Sequence, residues 1–217
     1  MTRKQSIRKL KKFFRRSFTK RKAFLVATLG LVFVVFWVVM HQPYFITPTA
    51  YTPLLEVIAK AESRGNYNAY FGNSANHDLK FTDMTITDVL DWQKRYVDEG
   101  NPSSAVGRYQ IIRPTLDGLV KQLNINPNAH FDEPMQNRLA IALIERRGSV
   151  DFIQQKLSAE SFAHELSKEW ASLPKVIGNA PESSFYAGDG LNQSLVDSHT
   201  SLAAIQQFKQ LARTEQK

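Results

Sequence analysis

Residues 23–40, AFLVATLGLVFVVFWVVM, form an uncharged run in which Thr28 and Gly30 are the interruptions among apolar side chains. At about 1.5 Å per residue, a helix of this length spans about 27 Å, the thickness of a bilayer core. A helix buried inside a soluble domain would keep a polar stripe, and this run has none. Residues 1–22 carry eleven lysines and arginines and no acid. The alternative is a cleaved signal peptide, but HQPYFITPTAY, which follows, offers no small-x-small cleavage site. The run therefore reads as one N-terminal transmembrane helix, an uncleaved signal anchor. The excess of positive charge before it places the N-terminus in the cytoplasm and residues 41–217 outside the membrane. The chain divides into a basic tail (1–22), the anchor (23–40), a proline-rich stalk (41–52) and one folded domain (53–214).

The anchor changes the meaning of the net charge. The whole chain stands at +8, with 28 basic and 20 acidic residues. Setting aside the eleven in the tail leaves 17 basic residues against all 20 acidic ones, so the remainder is mildly acidic. A nucleic-acid reader carries its basic patch on the folded domain, so no nucleic-acid partner is expected. The chain has no cysteine and therefore neither disulfides nor thiolate chemistry. Its five histidines are scattered, with no pair at metal-ligand spacing, and neither a phosphate loop nor a nucleophile elbow is present. No metal and no cofactor is expected.

Within the domain, helical periodicity dominates. A first helix is expected from Pro53 to about Ser63, and a second from Thr85 through TITDVLDWQKRYV. Further helical patterns run over 109–123, with Pro114 marking a boundary, and over 132–148, 150–157, 158–173 and 198–213. Asp132 and either Ser158 or Ser161 are candidate N-caps, and Gly148 is a candidate stop. SRGNYNAYFGNSANHDLKF is rich in Gly, Asn and aromatics without helical period. The expected fold is mainly α, a helical domain with a small irregular or β-containing lobe.

Glu62 sits in the last turn of the first helix, where the dipole favours cations. It lies four residues after Ile58 and seven after Leu55, on the face that must bury. Partial desolvation, apolar neighbours and the negative end of the dipole all push its pKa upward. A carboxylic acid held protonated near neutral pH is what a glycosidic oxygen needs from a general acid. The competing reading is a solvent-facing glutamate paired with Arg64. A second feature is SSAVGRYQIIRPT, residues 103–115. Gly107 lets backbone approach a substrate, while Tyr109 and Gln110 offer aromatic and amide contacts suited to sugars. Tyr67, Tyr70 and Phe71 in the first loop, and Phe185 and Tyr186 in a late one, are candidate sugar platforms. Trp170, at helical spacing from Leu166, reads as core.

AES followed by AVGRYQI resembles the lysozyme-like lytic transglycosylases. KFTDMT, SSAVGRYQII, LIERRG and KEWASLP, in that order, resemble the lambda-type phage endolysins and related prophage muramidases, over most of residues 53–212. The resemblance implies a lysozyme-like α+β fold and cleavage of the β-1,4 bond between N-acetylmuramic acid and N-acetylglucosamine in peptidoglycan strands. It also matches Glu62 to the family's catalytic glutamate and Asp83 to a family position. The chain departs from that pattern in its anchor and in the long stretch between Trp170 and the last helix.

Two mechanisms follow. A hydrolase needs a second carboxylate, for which Asp78, Asp83, Asp88 and Glu99 are candidates. Asp83 serves equally well as a cap for the helix starting near Thr85. A lytic transglycosylase manages with one glutamate and yields a 1,6-anhydro product, and the resemblance favours it. From another class, a non-catalytic module tethering membrane to wall would use the same fold with Glu62 idle. An anchored enzyme acting locally suits an envelope-spanning secretion, conjugation or phage machinery as partner.

Overall fold

The computed structural model describes residues 46–214. The basic tail, the apolar run at 23–40 and residues 41–45 of the expected stalk lie outside the described residues. Among the described residues, no helix is long and apolar enough to cross a membrane.

Seven α-helices order the described residues: α1 (Thr52–Ser63), α2 (Ile86–Asp98), α3 (Arg113–Gln122), α4 (Glu133–Arg146), α5 (Ser149–Ile153), α6 (Ala159–Ser167) and α7 (Ser198–Thr214). Side-chain caps define three of their starts. Thr85 and Asp88 form a reciprocal capping box at α2. Asp132 accepts the Met135 N–H at 2.9 Å at α4, and Ser158 accepts the Ser161 N–H at 3.1 Å at α6. Asp83 is therefore not the cap of α2; it is exposed in a 3-10 turn, Phe81–Asp83.

Three expectations change. The domain begins ahead of Pro53, because Pro48–Tyr51 forms a 3-10 turn that packs into the body. Tyr51 is fully buried, lies 5.0 Å from the Phe208 ring and donates its hydroxyl to Glu145 Oε1 at 3.1 Å. Pro48 and Pro53 each open a helical turn, where a ring-fixed φ and a missing N–H cost nothing, so part of the apparent stalk is structure. Second, α3 starts at Arg113 rather than Tyr109, with Pro114 in its first turn. Third, α6 stops at Ser167 instead of continuing to Leu173.

The helical body closes around a stack of rings. Phe152 and Phe162 lie 5.1 Å apart and nearly parallel, with Phe208 against both. α7 runs along α1 and covers the buried stripe of Leu54, Leu55, Ile58 and Ala59. The irregular lobe has its own aromatic centre, in which Tyr70, Phe81, Trp92 and Tyr96 meet at 4.6–6.2 Å. Its β content among the described residues is confined to isolated bridges, such as Val106 with Ile111. Asparagine side chains do the work of strand pairing. The buried Asn76 donates to Asn68 O and Leu79 O at 2.5 and 2.7 Å, and Asn66 donates to Ser74 O and Asn76 O.

Candidate active site

The C-terminal turn of α1 carries Glu62 into the core face, as its spacing predicts. The helix closes on Arg64, which adopts a left-handed φ of 58°, and the Gly65 N–H returns to Ala59 O at 3.0 Å. Glu62 keeps partial exposure as a residue, yet its carboxyl is enclosed by protein. Burial pushes its pKa above the ordinary glutamate range, opposed by the hydroxyl and backbone N–H of Ser172. No charged side chain contributes to the shift. The Ser172 hydroxyl donates to Glu62 Oε1 at 2.6 Å. Arg64, the partner in the competing reading, is exposed and forms no ion pair with it.

Three segments converge on this helix end. Ser63 Oγ donates to Arg108 O at 2.7 Å, tying the 107–110 turn to α1. Trp170 Nε1 donates to Tyr109 O at 3.1 Å, tying the 170–173 turn to the same stretch. Ser172 then completes the triangle at Glu62. The two arginines of LIERRG hold the third segment in place. Arg146 reaches both oxygens of Glu169 at 2.8 and 2.9 Å, and Arg147 Nε reaches Oε2 at 2.9 Å. The Glu169 side chain is only 7% exposed, so these are partly desolvated pairs, and they account for the early stop of α6.

Other expected site residues fall into two groups. Gln110 stands in the turn at φ 48°, partly exposed, with its Nε2 donating back to Gly107 O at 2.9 Å. Tyr186 is exposed, but its hydroxyl is bonded to Lys168 O at 2.8 Å, and Phe185 packs beside His164. Tyr67 is partly exposed and lies beneath the Arg108 guanidinium, 4.8 Å from ring centre to Cζ.

Tyr109 is a correction. It is 1% exposed and its hydroxyl donates to Asn137 Oδ1 at 2.6 Å, so its ring is a wall of the fold and does not offer the expected aromatic contact. Tyr70 likewise belongs to the aromatic centre of the lobe. At Gly107 the protein itself leaves no room for a side chain: a Cβ there would lie 2.4 Å from Gln136 Oε1. Among the candidate second carboxylates, Asp88 is engaged with Thr85, and Asp78, Asp83 and Glu99 are exposed.

Sequence reasoning missed Ser63, Ser172, Gln136 and Asn137. Ser172 stood inside WASLP, whose serine between apolar neighbours was the available signal. Gln136 and Asn137 had none, since the bonds that tie them to Tyr67, Arg108 and Tyr109 cross 28 or more residues.

A family model described as Endolysin matches residues 52–187. No curated protein matches. Among solved structures, the bacteriophage lambda lysozyme complexed with a chitohexasaccharide is 22% identical with a TM-score of 0.45, over 77% of this chain and 96% of that one. A second structure, lysozyme from bacteriophage lambda, is 18% identical with a TM-score of 0.44 over the same shares.

Proposed function

Since the chain belongs to the endolysin family of peptidoglycan-cleaving enzymes, we propose that it acts as a lytic transglycosylase with Glu62 as acid and then base. The Glu62 carboxyl gives its proton to the glycosidic oxygen as the bond from muramic acid C1 to that oxygen breaks. The resulting carboxylate takes the proton of the muramic acid 6-hydroxyl while O6 closes on C1. No water is consumed, and the product ends in 1,6-anhydro-muramic acid. The observation that carries this reading is the setting of Glu62, a buried carboxyl with a neutral serine as its partner and no charged neighbour shifting it. A hydrolytic muramidase needs a second carboxylate to hold water or attack carbon.

The full-length chain and its Glu62→Gln variant, incubated with peptidoglycan, test this directly. Soluble products should appear with wild type alone, and their reducing ends should be one water lighter than hydrolysed ends. Hydrated ends identify a hydrolase; release by the variant removes Glu62 from the chemistry. No release by wild type leaves the wall-binding module.

We also propose that residues 23–40 anchor the enzyme in the inner membrane with its N-terminus in the cytoplasm. The domain then works on the nearby wall, opening passages for an envelope-spanning secretion, conjugation or phage machinery. The charge asymmetry around the apolar run supports this orientation. Protease added outside spheroplasts should digest the domain and spare the tail, and carbonate should not extract the chain from membranes.

A further inference from the structure

We propose that Ser172 is the positioning residue for Glu62, holding Oε1 so that Oε2 is the oxygen that gives and retakes the proton. The inference rests on the acid–base reading of Glu62 and deepens it. A carboxyl turns about its last carbon–carbon bond unless one oxygen is held, and general acid catalysis depends on where the proton points. The hydroxyl of Ser172, itself only 5% exposed, holds Oε1 at 2.6 Å, and the Ser172 backbone N–H also bears on the carboxyl.

Ser172 is in turn held from two sides. Upstream, Glu169 is clamped by Arg146 and Arg147 and Trp170 is bonded to Tyr109 O. Downstream, the Ser172 carbonyl accepts the Leu195 N–H at 2.8 Å, the Val196 N–H at 3.2 Å and the Ser194 hydroxyl at 3.4 Å. These three donors lie beyond residue 187, where the family match ends. The long stretch between Trp170 and the last helix thus supplies the downstream support of Ser172. Burial alone would raise the carboxyl's pKa but leave it unaimed. Because Ser172 donates, it favours the ionised form and keeps the acid strong enough to release its proton.

The full-length Ser172→Ala variant, assayed on soluble peptidoglycan strands from pH 4 to 10, tests the assignment. The expected result is a kcat about ten-fold lower, with KM within about two-fold of wild type. The alkaline limb of the rate profile, where the acid loses its proton, should move to higher pH. A serine that merely fills space would cost stability without moving that limb. If Ser172→Ala does not fold, Ser172→Cys keeps the volume and a weaker donor, and its limb should move the same way by less. The wild-type chain gives a reading free of any variant: the Ser172 Cβ and Glu62 Cδ carbon resonances should titrate with one midpoint. An unmoved limb in a folded variant, or two separate midpoints, overturns the assignment. Glu62→Gln separates the failures, since residual activity there refutes the acid–base reading itself.

Discussion

Gly107→Ala should destabilise the domain by about 2–5 kcal/mol. At φ 78° the backbone is in the left-handed region, where a Cβ costs about 1–2 kcal/mol. The added carbon would meet Gln136 Oε1 at 2.4 Å, Gln136 Cδ at 3.0 Å and Phe131 Cε1 at 3.0 Å. The amide cannot yield cheaply. Gln136 is fully buried; its oxygen accepts the Arg108 N–H at 2.8 Å and its nitrogen donates to Tyr67 O and Phe131 O at 3.0 and 2.9 Å. Moving it leaves at least one buried group unpaired, at about 1–3 kcal/mol. Urea unfolding followed by circular dichroism should show the midpoint fall with an unchanged slope, and the Arg108 amide should exchange faster with solvent. A loss under about 1 kcal/mol would show that Gln136 has room to move, and would refute the close-approach argument.

Three further outcomes follow from the same geometry. Glu62→Gln should be more stable than wild type, by a margin that grows as pH rises. Burial raises the folded-state pKa of Glu62, so wild-type stability is full below the unfolded value of about 4.3 and is lost as pH climbs through the folded one; melting temperatures from pH 4 to 8 check the sign. Glu169→Gln breaks the pairs with Arg146 and Arg147, whose partial exposure limits the loss to about 2 kcal/mol, and should lower kcat more than KM by loosening the turn that carries Ser172. Phe152→Ala opens a cavity in the ring stack and should cost about 3–5 kcal/mol in denaturant titration, with kcat per folded molecule unchanged.

Local determinants were readable and long-range ones were not. Thr85, Asp132 and Ser158 cap helices through bonds spanning three residues, so the sequence displays both partners together. The position of Glu62 on the buried stripe was readable for the same reason, since periodicity is local. The early stop of α6 was not, because it follows from Arg146 and Arg147 drawing Glu169 out of the helix from 22 and 23 residues away. The burial of the Tyr109 ring was not readable, because a tyrosine two residues after a glycine looks the same whether its ring faces solvent or Asn137. The prolines near residue 50 were read as a stalk because proline breaks a helix only from inside and starts one from its first turn. Which of the two holds was decided by Tyr51 finding Phe208, far along the chain.

A carboxyl on a core stripe at the negative end of a helix is costly only when ionised. The fold avoids that cost by enclosing the group and by giving it a neutral partner rather than a cation. An arginine in place of Ser172 would pair with Glu62, hold it ionised and remove the proton the reaction requires. Three arginines of the surrounding frame are engaged elsewhere: Arg108 reaches Glu56 and the Tyr67 hydroxyl, while Arg146 and Arg147 hold Glu169. Each of those ion pairs fixes a backbone segment that the site uses, the 107–110 turn in one case and the 170–172 turn in the other. Charge therefore builds the frame around Glu62 without pairing with the acid itself, and burial at the helix end, which disfavours a glutamate, shifts the group towards glutamic acid.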